Sequence, residues 1–254
     1  MYLGRLSWKS YPFRGVKMKV LVFDIWGDLA HFKRFYTTSS PLTFSFPPPT
    51  TIKGILGAII GCDKEEYIDV FSRDRCKISI QILKPIKKIR LGLNYINTKG
   101  NFWRPTKHGK HEARTQIPAE FVKNPYYRIY VSHKDGKIFD RLEEYVKSHR
   151  TFYTVSLGLS ELLADFRYTG VLEFMERVEG EVEISSVIPI SALTEGLVFK
   201  EGNRYFKERI PVDMNQDRIV LKYEDVLYES QGNKILAKVR GFWEGEDGSC
   251  IYFL

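Results

Sequence analysis

Apolar residues run almost without interruption across positions 20–26, with β-branched and aromatic types prominent, which predicts a buried central strand beginning near Met18. Residues 76–83 alternate strictly, so Cys76, Ile78, Ile80 and Ile82 share one face of a half-buried strand. Between these segments Ile52, Ile55, Leu56, Ile59 and Ile60 recur at helical spacing and predict a helix over 50–61. Residues 86–96 and 126–132 read as further strands. Residues 138–150 read as a helix with Leu142, Tyr145 and Val146 inward, ending on Lys147, His149 and Arg150, where the helix dipole favours cations. Beyond it, 171–176, 182–190, 218–228, 235–243 and 250–254 read as strands, punctuated by turn signals at Gly202-Asn203, Gly232-Asn233 and 245–248. The first half therefore runs strand, helix, strand, insertion, strand, helix, strand. That is an α+β, ferredoxin-like βαββαβ order, an antiparallel sheet with its helices on one face, followed by a β-rich C-terminal half.

This reading divides the 254 residues into an extension at 1–17, a core at 18–170 with an insertion at about 92–125, and a β-rich region at 171–254. The extension lacks periodicity and is expected to be flexible and without function. No apolar window approaches the roughly 18 residues of a membrane span, and the first twenty residues lack a signal-peptide core. Cys62, Cys76 and Cys250 are scattered and read as reduced core thiols of a cytoplasmic protein.

The net charge of +8 hides an asymmetry: residues 1–150 carry 28 Lys/Arg against 13 Asp/Glu, whereas 151–254 carry 11 against 18. Between Lys84 and Arg128 there are 11 basic and 2 acidic residues, interleaved with aromatics and glycines. Such a surface attracts a polyanion, because each neutralised phosphate releases condensed counterions.

Pro47, Pro48 and Pro49 fix an extended path, so the helix is expected to begin at Thr50, with Thr50 or Thr51 as its cap. Gly54, Gly57 and Gly61 leave one helix face bare, although an internal glycine costs about 1 kcal/mol relative to alanine. Either the helix packs tightly there, on the sheet or on another subunit, or an RNA backbone passes the helix start, where N–H groups favour an anion. Lys53 in the first turn opposes the dipole but suits a phosphate. Just upstream, 30–41 gathers His31, Lys33 and Arg34 with aromatics and hydroxyls, the groups single-stranded RNA asks of a protein. The plainer alternative is a surface loop with Phe32 and Phe35 buried. Asp24 and Asp28 have no partnered cluster, Asp213 and Asp217 read as solvated, and no phosphate-binding or nucleophile-elbow motif occurs. Neither a metal nor a cofactor is expected.

The ordered stretch FDIWGDLAHFKRFYTTSSPLTFSFPPPTTIKGILGAIIG, residues 23–61, resembles the N-terminal signature of the Cas-five family of CRISPR-associated proteins, within the repeat-associated mysterious protein superfamily. The resemblance covers strand, basic-aromatic loop, Pro-Pro-x-Thr turn and glycine-rich helix. It implies a ferredoxin-like (RRM-like) domain with an inserted β-hairpin thumb, in a type I Cascade surveillance complex. The partners it implies are the 5′ handle of the CRISPR RNA, the Cas-seven backbone subunit and the large subunit, with target DNA met only through the assembled complex and no membrane. The basic insertion at 93–121 becomes the candidate thumb. Arg104, Lys107, Lys110 and Arg114 would grip phosphates, with His108 and His111 as further phosphate contacts, and Phe102 or Trp103 would stack on or wedge a base. A disordered exposed loop is the competing account, and ordering on RNA would reconcile the two.

One subtype of the family cuts the repeat without a metal, through Tyr, Lys and His. Lys107-His108 and Lys110-His111 supply Lys-His pairs, but Phe44 and Phe46 stand where those members carry the tyrosine. The expectation is therefore a non-catalytic RNA-binding subunit. A metal-independent endoribonuclease and a basic protein-interaction scaffold are the alternatives.

Overall fold

The computed structural model describes residues 13–35, 37, 40–96 and 114–254. In chain order these form β1 (Phe13–Trp26), β2 (Leu29–Ala30), α1 (Pro49–Ile60), α2 (Tyr67–Val70), β3 (Cys76–Ile82), β4 (Lys87–Ile96), β5 (Arg114–Lys123), β6 (Tyr126–His133) and α3 (Gly136–Lys147). There follow β7 (Asp165–Arg177), β8 (Glu179–Ile184), β9 (Ile188–Pro189), a 3-10 turn (Ile190–Ala192), β10 (Leu193–Leu197), β11 (Tyr205–Met214), β12 (Val220–Glu229), β13 (Ile235–Arg240), β14 (Trp243–Gly245) and β15 (Cys250–Ile251). The protein is thus α+β with strands predominant. Among the described residues no helix is long and apolar enough to cross a membrane.

One nine-stranded sheet runs β10-β13-β8-β15-β14-β7-β1-β6-β3. Its pairs are antiparallel except for the single parallel contact of β15 with β8. Two three-stranded sheets, β11-β12-β9 and β2-β5-β4, stand beside it. The apolar run of β1 is explained by burial on both sides. Leu21, Phe23 and Ile25 share the main core with Ile52, Leu56 and Ile59 of α1 and with Phe139, Leu142 and Val146 of α3. Val20 and Val22 pack on the opposite side with Tyr130, Phe174, Trp243 and Ile251.

Several expectations change. β1 reaches back to Phe13, and β7 begins at Asp165, so the large sheet runs without a break across position 170. The segment 182–190 is two strands in different sheets, and 235–243 is interrupted at Gly241, whose φ of +65° turns the chain. β11 carried no clear sequence signal, because Lys207, Glu208 and Arg209 mask the alternation of Phe206, Ile210 and Val212.

α1 starts at Pro49, with Pro48 as its N-cap and no side-chain cap bond. Neither threonine caps it; proline at the first helical position removes one of the otherwise unpaired N–H groups, and its φ is already helical. The bare glycine face is filled from within the chain. A Cβ on Gly57 would lie 2.8 Å from Tyr67 Cβ, and one on Gly61 would lie 2.5 Å from the Phe152 ring. Gly61 is also the left-handed C-cap of α1, with φ at +76°.

Candidate nucleic-acid interface

β4 and β5 pair in unbroken antiparallel register, from Lys87 opposite Lys123 to Ile96 opposite Arg114. Because opposed residues share a face and neighbours alternate, this hairpin has two chemistries. One face carries Ile89, Leu91, Leu93 and Tyr95 with Phe121, Ala119, Ile117 and Thr115 opposite. The other carries Lys88, Arg90 and Asn94, with Glu120 and Gln116 among their opposite neighbours and Arg114 at the far end, interrupted by Val122, the Gly92–Pro118 pair and Ile96. Most of β4 is exposed, and burial begins at the root of β5 with Ala119, Phe121 and Val122.

The basic loop is pinned to that root. His31 is buried, its Nδ1 lies 2.7 Å from the Glu120 carbonyl oxygen, and its ring packs on Phe121. Lys33 is exposed and forms a backbone bridge with Thr43. Arg34 Nε donates to the Thr43 carbonyl at 3.1 Å, and its guanidinium pairs with the buried carboxylate of Glu208. Thr50 is buried and Thr51 half-buried in the first turn of α1. Lys53 is buried, with Nζ 2.9 Å from Asp213 Oδ1. As placed, His31 and Lys53 offer almost no surface to a phosphate, because both are buried, with His31 Nδ1 and Lys53 Nζ engaged inside the protein, and Asp213 is a partner rather than a solvated turn residue. Arg114 is exposed on the hairpin. Phe102, Trp103, Arg104, Lys107, His108, Lys110 and His111 lie outside the described residues.

A cleft of about 540 Å³ opens where Arg34, Ser45 and Lys88 face the β11–β12 ladder. Its floor is a closed polar network. Glu208 accepts from the Ser45 N–H at 3.2 Å as well as from Arg34, Ser45 Oγ lies 2.8 Å from the Tyr228 hydroxyl, and Tyr127 donates to the Ser45 carbonyl at 2.8 Å. Burial, chiefly, pushes the Tyr228 phenol up to about 12, so it is neutral near pH 7. Its ring stacks on Phe206 at 5.7 Å and 21°. Glu229, also buried, accepts backbone N–H bonds from Arg204 at 2.8 Å, Gln231 at 2.9 Å and Asn233 at 2.7 Å, which fixes the wall of the cleft. Lys88 joins cleft and hairpin: its Nζ donates to the Thr43 carbonyl at 2.9 Å and lies 3.3 Å from Glu120. Sequence reasoning missed Lys88, Arg204, Phe206, Glu208 and Tyr228, because four of them lie in the acidic second half, far along the chain from the basic loop.

Asp24 is buried on the other side of the sheet, with Arg128 Nε at 2.7 Å and the Arg167 guanidinium at 3.2 Å. A buried carboxylate held by two guanidinium groups is a structural anchor that ties β1 to β6 and β7. Among the described residues, no three His, Cys, Asp or Glu side chains come together in a way that would hold a metal.

A family profile described as CRISPR-associated protein (Cas_Cas5) matches residues 20–226. No curated protein matches the sequence. Among solved structures, the chain is similar to one described as a CRISPR RNA-guided surveillance complex, at 11% identity and a TM-score of 0.52, over 86% of this chain and 91% of that one. It is also similar to a CRISPR protein from Archaeoglobus fulgidus, at 15% identity and a TM-score of 0.49, over 92% and 98% of the two chains. A third similarity is to a chain of a Type III-B Cmr-beta structure bound to cognate target RNA, at 11% identity and a TM-score of 0.43, over 86% of each chain.

Proposed function

Because the chain belongs to the CRISPR-associated Cas5 family, whose profile spans residues 20–226, we propose that it is a non-catalytic RNA-holding subunit of a CRISPR surveillance complex. In this reading it caps the 5′ handle of the CRISPR RNA in a type I Cascade. It contacts the Cas-seven backbone and large subunits, works in the cytoplasm, and meets target DNA only through the assembled complex. The observation that carries the reading is the two-faced β4–β5 hairpin, whose polar face ends at its root among the cations Lys88 and Arg34. Such a face suits a phosphate backbone, and its exposure leaves room for one. The neighbouring strand order β7-β1-β6-β3, with α1 and α3 packed on one side, supports a ferredoxin-like βαββαβ core beneath the hairpin. Binding is favoured over cleavage because Phe44 and Phe46, where the cutting relatives carry a tyrosine, are buried core residues.

The test mixes the full chain with labelled CRISPR repeat RNA in EDTA at several salt concentrations, on native and denaturing gels. A shifted, intact RNA is expected. Replacing Arg90 and Arg114 with alanine should flatten the salt dependence by about one unit of slope per lost phosphate contact. An unchanged slope would point to an acidic protein partner. A discrete cut that disappears in a His108→Ala/His111→Ala variant would establish the nuclease.

A further inference from the structure

We propose that the cleft beside the β11–β12 ladder seats one unstacked ribonucleotide, its base on the outer face of Phe206 and its phosphate on Arg204. The inference rests on the RNA-holding reading and adds to it two contacts from the C-terminal half, Phe206 and Arg204, across the cleft from Arg34 of the basic loop and Lys88 of the hairpin. Four observations converge there. The cleft, about 540 Å³, falls within the 300–1,000 Å³ typical of small-ligand pockets, larger than a bare phosphate needs. Phe206 is 49% exposed yet held nearly parallel to Tyr228, which makes it a fixed, flat platform with a free face. A base gains from such a platform whatever its identity, because every base has a π-face.

The third observation is an uncommitted cation. Among the described residues the Arg204 side chain has no hydrogen-bond or ion-pair partner, although its backbone is held on both sides. Its N–H donates to Glu229 and its carbonyl accepts from Ser230 N–H at 2.9 Å. Ser230 and Gln231 line the same wall, where the Gln231 amide donates to the Ser230 hydroxyl at 3.4 Å, a weak contact that a base edge can replace. The fourth is continuity. Lys88 lines the cleft and also begins the polar face of the hairpin, so an RNA strand lying along that face arrives at the cleft. An acidic peptide would use the cations but has no need of the exposed ring.

The test uses the full chain and a short single-stranded RNA carrying 2-aminopurine at each position in turn, with free AMP and UMP as competitors. Wild type should bind and should change the fluorescence at one position only. Phe206→Ala should weaken binding roughly 5- to 150-fold, abolish that fluorescence change and leave the salt slope intact. Phe206→Tyr should retain both, and Arg204→Ala should lower the slope by about one. Wild-type affinity in both Phe206→Ala and Arg204→Ala, each shown folded by circular dichroism, overturns this inference while the RNA-holding reading stands. Displacement of the RNA by micromolar AMP or UMP also overturns it, by showing a free-nucleotide site. If wild type binds no RNA even at low salt, the RNA-holding reading fails and this one fails with it.

Discussion

Lys53 has only 2% of its side chain exposed, and Asp213 Oδ1 lies 2.9 Å from its ammonium. Removing one member of a buried ion pair strands the other charge, at about 3–5 kcal/mol, whereas replacing both by apolar groups is often neutral. Asp213→Ala should therefore fall at the lower end of that range, since Asp213 keeps 28% of its side chain in water, and Lys53→Met/Asp213→Ala should recover much of the loss. Urea denaturation of the two variants decides this; equal losses would mean that the cost of Asp213→Ala does not come from a stranded Lys53 charge. Lys53 read as a phosphate ligand in the sequence because its partner lies 160 residues away, with no local sign of the contact. Burial also sets an alkaline limit. It raises the Cys76 thiol from 9.0 to about 12 and the Tyr130 phenol from 10.0 to about 12. Each folded pKa lies above its unfolded value, so the stabilising contribution is complete below pH 9.0 and is lost as pH rises towards 12. The thermal midpoint should fall across that window, less steeply in Cys76→Ala or Tyr130→Phe. A level midpoint would contradict it.

α1 shows how an element can be legible while the reason for its composition is not. Its apolar face was plain from spacing, but the use of its glycines depends on α2, which supplies Tyr67. The two internal glycines should respond oppositely to alanine. A Cβ on Gly54 would lie 3.9 Å from Tyr67 Cε2, ordinary contact, so Gly54→Ala should stabilise by up to about 1 kcal/mol. A Cβ on Gly57 would lie 2.8 Å from Tyr67 Cβ, so Gly57→Ala should destabilise, by about 1–3 kcal/mol once the helix is forced from its seat. Chemical denaturation of both variants checks the pair of signs; stabilisation by both would show that Tyr67 yields freely. β3, β6 and α3 were also readable, because each alternates or repeats with one clear period. β11 was not, because its exposed face is charged while the buried Glu208 interrupts its apolar one.

At the scale of the molecule, a boundary drawn at position 170 cuts through β7, whose pairing with β1 extends from Asp165 to Arg177, with a one-residue register shift between Tyr168 and Gly170 that bends the ladder without ending it. The composition change that suggested the boundary concerns surface charge, and the hydrogen-bonded sheet takes no account of it. A fragment ending at residue 170 would lose the β7 partners of Met18, Lys19, Val20 and Leu21. It should show no near-ultraviolet circular dichroism signal, and the full chain should unfold in one transition; a folded fragment would restore the boundary. The hairpin carries a different kind of constraint. Ten residues per strand at about 3.4 Å each make an arm of about 34 Å. Deleting one residue from each strand would send every side chain beyond the cut to the opposite face, while deleting two would shorten the arm by about 7 Å and leave both faces intact. Relatives that use the same arm should therefore differ in its length by even numbers of residues per strand, so that its history is written in parity.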